Sequence, residues 1–166
     1  SSIGAVAMGN QTFATGQNSL VIGTSSTIYG NNSFGIGDNN VIGLAKDSET
    51  AKNSFIAGSS NTLYDSLNSS LNGNGNTLRG DNNLASGNGN DFQGSNSIFG
   101  GSSNTTPSNT ENSIVVGYSN VLDSLGSNEN SLTVGKFNTM NADQAILFGT
   151  NNNAYGQNSL VGGNNS

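Results

Sequence analysis

The sequence predicts an all-β solenoid, a parallel β-roll of flat coils about fourteen residues long. Three observations point to it. Glycine recurs every seven residues over long stretches. A short apolar motif precedes every second one. The composition suits a core only one side chain wide.

The period is plainest at the start, where Gly9, Gly16, Gly23, Gly30 and Gly37 are seven apart. Alternate members close the motif Asn-Ser-apolar-x-apolar-Gly. It reads Asn18-Ser19-Leu20-Val21-Ile22-Gly23 and Asn32-Ser33-Phe34-Gly35-Ile36-Gly37. It returns before Gly58, Gly101, Gly117, Gly135 and Gly163, with degenerate copies ending at Gly9, Gly73, Gly87 and Gly149. The spacing is fourteen from Gly9 to Gly23 to Gly37, from Gly73 to Gly87 to Gly101, and from Gly135 to Gly149 to Gly163. Extra residues enter elsewhere, and they define irregular segments at 44–52, 64–70, 102–111 and 121–129.

Each half-repeat reads as a short strand and a turn. Residues of β preference precede Gly and an Asn/Ser pair, which turn the corner at low steric cost. Glycine at this density, with Asn and Ser between, argues against helix. Two strands and two turns make one coil, and stacked coils pair as parallel strands. About eleven coils at ~4.8 Å give a rod on the order of 50 Å long.

Hydrophobic residues make up 31% of the 166 residues and charged ones 8%, with a single proline, Pro107. That is too apolar-poor for a wide core and too little charged for an ordinary disordered chain. Cys and His are absent, which removes disulfides, thiolate and imidazole metal ligands and the usual general base. The net charge of −6 argues against nucleic acid and anionic membranes as partners. No apolar run is long enough for a membrane-spanning helix. Both termini fall inside the repeat pattern, so the chain is expected to be a piece of a longer protein, with 1–166 forming a single domain.

Strand side chains alternate between faces. In the stronger half-repeat, the residues three and one before Gly are expected inside the coil: Leu20 and Ile22, Phe34 and Ile36, Ile114 and Val116, Leu132 and Val134. The residue between them is then expected to point outward. Those positions are mostly apolar, including Ala7 and Ala85, so they mark a stripe that must be covered. Val21, Ile56, Leu71, Phe99, Val115, Leu147 and Val161 are the expected self-association interface. The weaker half-repeat has one dependable apolar position, two before Gly: Ala14, Ile28, Val41, Leu78, Phe92 and Ala154.

The motif at 18–23, 32–37, 112–117 and 130–135, on its fourteen-residue period, resembles the YadA-like head domains of trimeric autotransporter adhesins. The resemblance implies a left-handed parallel β-roll assembled as a homotrimer. It implies exposure beyond the outer membrane of a Gram-negative bacterium, with a stalk and a membrane anchor outside this sequence. It also implies attachment to host cells. The partner would be a host cell-surface glycoprotein such as a CEACAM-type immunoglobulin receptor, or a matrix protein such as collagen or fibronectin. The irregular segments depart from the regular head repeat.

No catalytic constellation competes with a binding role, and no cofactor or metal is expected. Residues 72–91 only faintly resemble a calcium-binding Gly-Asp repeat, since the carboxylates do not recur. Candidate receptor-binding residues are Lys46, Asp47, Glu49 and Lys52 in the first irregular segment. Tyr29, Tyr64, Arg79 and Tyr155 join them, because exposed Tyr and Arg are enriched at interface hot spots. The segment with Thr105, Thr106 and Pro107 is a second candidate loop. Repeated Asn and Ser at the corners are expected to hydrogen-bond along the stack. Alternative functions are a structural spacer in a surface fibre, or an ice-binding solenoid carrying Thr12, Thr27, Thr62, Thr77 and Thr139.

Overall fold

The computed structural model describes residues 3–44, 51–123 and 128–166. It is an all-β parallel solenoid of about eleven turns, with no helix among the described residues. One long sheet holds eleven five-residue strands in sequence order, from Val6–Asn10 through Leu20–Thr24 to Leu160–Asn164. Every strand pairs in parallel with the next coil, and the glycines stay in register, Gly9 with Gly23 and Gly23 with Gly37. The facing side of nine coils carries a shorter strand. Six of these form one sheet, from Phe13–Ala14 to Asp91–Gln93, and three more run from Val121–Leu122 to Asn153–Ala154. Thr105 bridges the two pieces, pairing with Asp91 on one side and Val121 on the other.

The glycine that closes each long strand is required by space as well as by backbone conformation. From Gly9 to Gly149 its φ lies between 109° and 144°. A Cβ there would come within 1.7–2.0 Å of the carbonyl oxygen of the next coil's glycine. That oxygen is also occupied. From Gly37 to Gly149, a buried ladder residue stands three residues after each glycine: Asn40, Asn61, Asn76, Asn90, Asn104, Asn120, Asn138 and Asn152. Each donates from Nδ2 to the next coil's glycine carbonyl at 2.7–3.0 Å. From Asn61 to Asn138, Nδ2 also donates to Oδ1 of the preceding coil's Asn at 2.8–3.2 Å. The backbone N–H of each of these also donates to that Oδ1. Both amide hydrogens and both acceptor sites of an interior ladder Asn are thereby used, which is the full capacity of the group.

The opposite corner carries a second buried column. Ser54 N–H donates to Ser33 Oγ, Ser69 to Ser54, Asn83 to Ser69, Ser97 to Asn83, and Ser113 to Ser97. A third, exposed ladder joins Asn18, Asn32, Asn53, Asn68, Asn82 and Asn96 at 3.0–3.3 Å. The corner Asn and Ser thus serve the stack, as their recurrence suggests.

The core is a narrow seam between the two sheets, and it corrects the expected orientation of the long strand. Val21, Ile56, Leu71, Ala85, Phe99, Val115 and Leu147 point into the coil and are fully or almost fully buried by this chain alone. Val161, in the last coil, packs partly buried against the same core. None of the seven residues assigned to a self-association interface lies on the outer face of the coil. Leu20, Ile22, Phe34, Ile36, Ile114, Val116, Leu132 and Val134 point outward instead. The reason lies in the pleat. The corner Ser and the closing Gly must both turn inward to serve the ladders, and the one residue midway between them shares their side. The facing strand supplies Ile28, Leu63, Leu78, Phe92, Met140 and Ala154. In its third coil the buried residue is Ile42, and Val41 lies outside. Phe92 and Phe99 stack across the seam with centroids 4.5 Å apart.

The irregular segments are less loop-like than their spacing suggests. In 102–111, Asn104 sits in the buried ladder. Thr106 is buried in the seam, with its hydroxyl donating to the Gln93 carbonyl at 2.8 Å. Thr106 is therefore no part of a protruding loop, and Thr110–Glu111 pairs with Asn128–Glu129.

Two substitutions test this account. Asn104→Ala strands ladder partners above and below it, and is expected to lower the unfolding free energy by about 2–4 kcal/mol in a denaturant titration. Thr133 occupies a core position, and its buried Oγ1 has no hydrogen-bond partner. Thr133→Val is expected to raise stability by about 1 kcal/mol, read as a higher melting temperature.

Candidate binding face

The two sheets present unlike outer faces. The long sheet shows a large apolar side chain in every coil but the fifth, where Ser70 and Asn72 face outward. Val6, Met8, Leu84, Ile98, Ile146, Phe148 and Leu160 are each more than 40% exposed. The facing sheet is more polar. Parallel register lines up Thr27, Val41, Thr62, Thr77 and Asp91 in one outward column. It lines up Tyr64, Arg79 and Gln93 in a second.

Tyr29 belongs to this second column. Its N–H donates to the Ile42 carbonyl, and the Gly43 N–H donates to that of Leu63, so Gly43 separates Tyr29 from Tyr64. Beside Tyr64 lies a concavity of about 320 Å³ that Leu44, Asp65 and Arg79 also line. The Arg79 guanidinium lies over the Tyr64 ring, 5.1 Å from its centroid. Its Nη1 is 3.7 Å from Asp91 Oδ1, with both side chains about half exposed. The ring and the carboxylate hold the guanidinium, whose side chain stays about half exposed. Such a site can take a carboxylate, amide carbonyl or hydroxyl group. Among the described residues, no group of three or more Asp or Glu side chains converges to hold a metal ion.

The structure brings together Tyr64 and Arg79, and places Tyr29 in the same column two coils from Tyr64. Tyr155 is well exposed but five coils beyond Arg79. Lys52 precedes the long strand Phe55–Ser59, so it lies at a different corner of the coil. Lys46, Asp47 and Glu49 lie outside the described residues. Leu44, which opens that segment, borders the concavity.

A second exposed cluster went unnoticed in the sequence. Tyr118 and Phe137 meet edge to face at 5.4 Å. The Lys136 ammonium lies 5.5 Å from the Tyr118 ring and 4.8 Å from that of Phe137. The signal was there: Gly-Tyr and Gly-Lys-Phe stand where most other coils have Gly followed by Asn, Ser or Thr.

Arg79 and Asp91 form an exposed pair, so Arg79→Ala is expected to change stability by no more than about 0.5 kcal/mol. Thermal melts of the two proteins would then overlay closely. A large drop would assign Arg79 a structural role.

No protein-family model matches this chain, and no curated protein matches it.

Proposed function

We propose that this chain is the head of a bacterial cell-surface adhesin, a left-handed β-roll that works as a homotrimer. In this reading three copies bury the outer faces of their long sheets, and the facing sheets are left outward to bind a host glycoprotein or matrix protein. The observation that carries it is the contrast between the two faces. One is apolar in ten of its eleven coils, with Ser70 and Asn72 interrupting it in the fifth, and the other is polar with an aromatic–guanidinium site. Burying a large apolar side chain contributes ~1.5–3 kcal/mol, and an exposed apolar face of this length is the mark of an interface. The motif's likeness to adhesin heads supplies the number three, the handedness and the cell-surface setting.

The spacer reading has one observation in its favour, the unbroken pairing of the long sheet from first coil to last. The ice-binding reading has less support, because Thr27, Thr62 and Thr77 share a column that Val41 and Asp91 interrupt.

Light scattering tests the assembly. The expected mass is three times 16.8 kDa, and a stable monomer at micromolar concentration would overturn the proposal. Binding of the purified chain to cultured host cells tests the face. Replacing both Tyr64 and Arg79 with Ala should weaken it roughly tenfold or more if they form a hot spot. Unchanged cell binding would exclude that site, and no binding by the unaltered chain would favour the spacer.

A further inference from the structure

We infer that copies of this chain pack around an axis parallel to the coil stack, with Lys136 of one copy docked against Glu111 and Glu129 of its neighbour. This rests on the self-association proposed above and names the contact that orients it.

All strands of the long sheet run the same way, so its two lateral edges are unlike. At the edge where the strands begin, Glu111 and Glu129 stand opposite one another on adjacent coils, and both are exposed. Like charges directly opposite in a ladder repel. At the other edge, where the strands end, stands Lys136 in register with Tyr118. Its ammonium is held over two aromatic rings, and no described carboxylate lies within ion-pair distance of it.

Glu129 and Lys136 flank the same strand, Leu132–Lys136, so the width of the sheet keeps them apart within one chain. Rotation about an axis parallel to the stack removes that separation. It brings the ending edge of one sheet to the beginning edge of the next at the same height. The same rotation sets Asp38, at the ending edge, near Lys52, at the beginning edge one coil on.

Phe137 adds an independent sign. Its φ is +57°, a left-handed conformation that a bulky aromatic residue rarely adopts. Other coils place Gln11, Ser25, Asn39, Ser60 or Asn151 there. Strain of this kind persists where it holds something in place. Here it sets the ring under the Lys136 ammonium, at the edge of the apolar face.

A two-fold axis across the stack is the competing geometry. It would bring Lys136 against Asp38 of the partner. Two carboxylates one coil apart offer a lysine more than one does, which favours the parallel arrangement.

The chain has no cysteine, so introduced pairs report cleanly. Lys136→Cys with Glu129→Cys, treated with a short bismaleimide, should give covalent oligomers on a denaturing gel. Each single variant should stay monomeric there. Lys136→Cys with Asp38→Cys should not cross-link, and efficient cross-linking of that pair would overturn the inference in favour of an antiparallel dimer. Lys136→Glu should weaken self-association by roughly tenfold or more, and adding Glu111→Lys and Glu129→Lys should restore it. Circular dichroism confirms that each variant stays folded. If the unaltered chain is oligomeric but neither cross-linking nor charge reversal behaves this way, the edge contact is wrong and self-association stands. If the unaltered chain is monomeric, both fall.

Discussion

The structure depends on one contact, made again in almost every coil. A glycine carbonyl turns inward and receives the amide of an asparagine from the coil before it. The same glycine has no room for a side chain, because the next carbonyl stands where a Cβ would go. Glycine and asparagine are therefore one unit. The glycine makes the corner tight enough for the ladder, and the asparagine satisfies the polar groups that the tight corner buries. An unpaired buried carbonyl costs about 1–3 kcal/mol, and the column of Asn40 to Asn152 avoids that cost repeatedly.

From this follows the thin core. With Ser at one corner and Gly at the other both turned inward, each long strand has space for a single large inward residue. Val21, Leu71 and Phe99 fill that space. The remaining apolar residues of the strand must then face out, which explains how so apolar-poor a chain still presents an apolar surface. The polar face and the apolar face are thus consequences of one corner chemistry. The first offers Tyr64 and Arg79 to solvent, and the second is left for something to cover.

Much of this was legible in the sequence. The glycine period gave the coil, the Asn and Ser recurrence gave the ladders, and the position two before glycine gave most of the facing strand's core. The faces of the long strand were read backwards. The apolar residues three and one before glycine outnumber the one between them, yet it is the single one that is buried. A better signal was chemical tolerance. The outer columns admit Ser70, Asn72 and Ser86, whereas the inner one holds only Gly35, Thr133 and aliphatic or aromatic residues. The pairing of Tyr64 with Arg79 depends on the register between coils of unequal length. So does the meeting of Tyr118 with Phe137. A period alone does not supply that register.

Each coil of the long sheet touches the coil before it and the coil after it, and pairing partners are 14 to 21 residues apart in sequence. Such a chain has no contact that waits for its far end. Order can begin at one coil and advance along the polymer, with a similar loop closed at every step. Resistance to being pulled apart is then a property of the single junction under load, whatever the length of the rod.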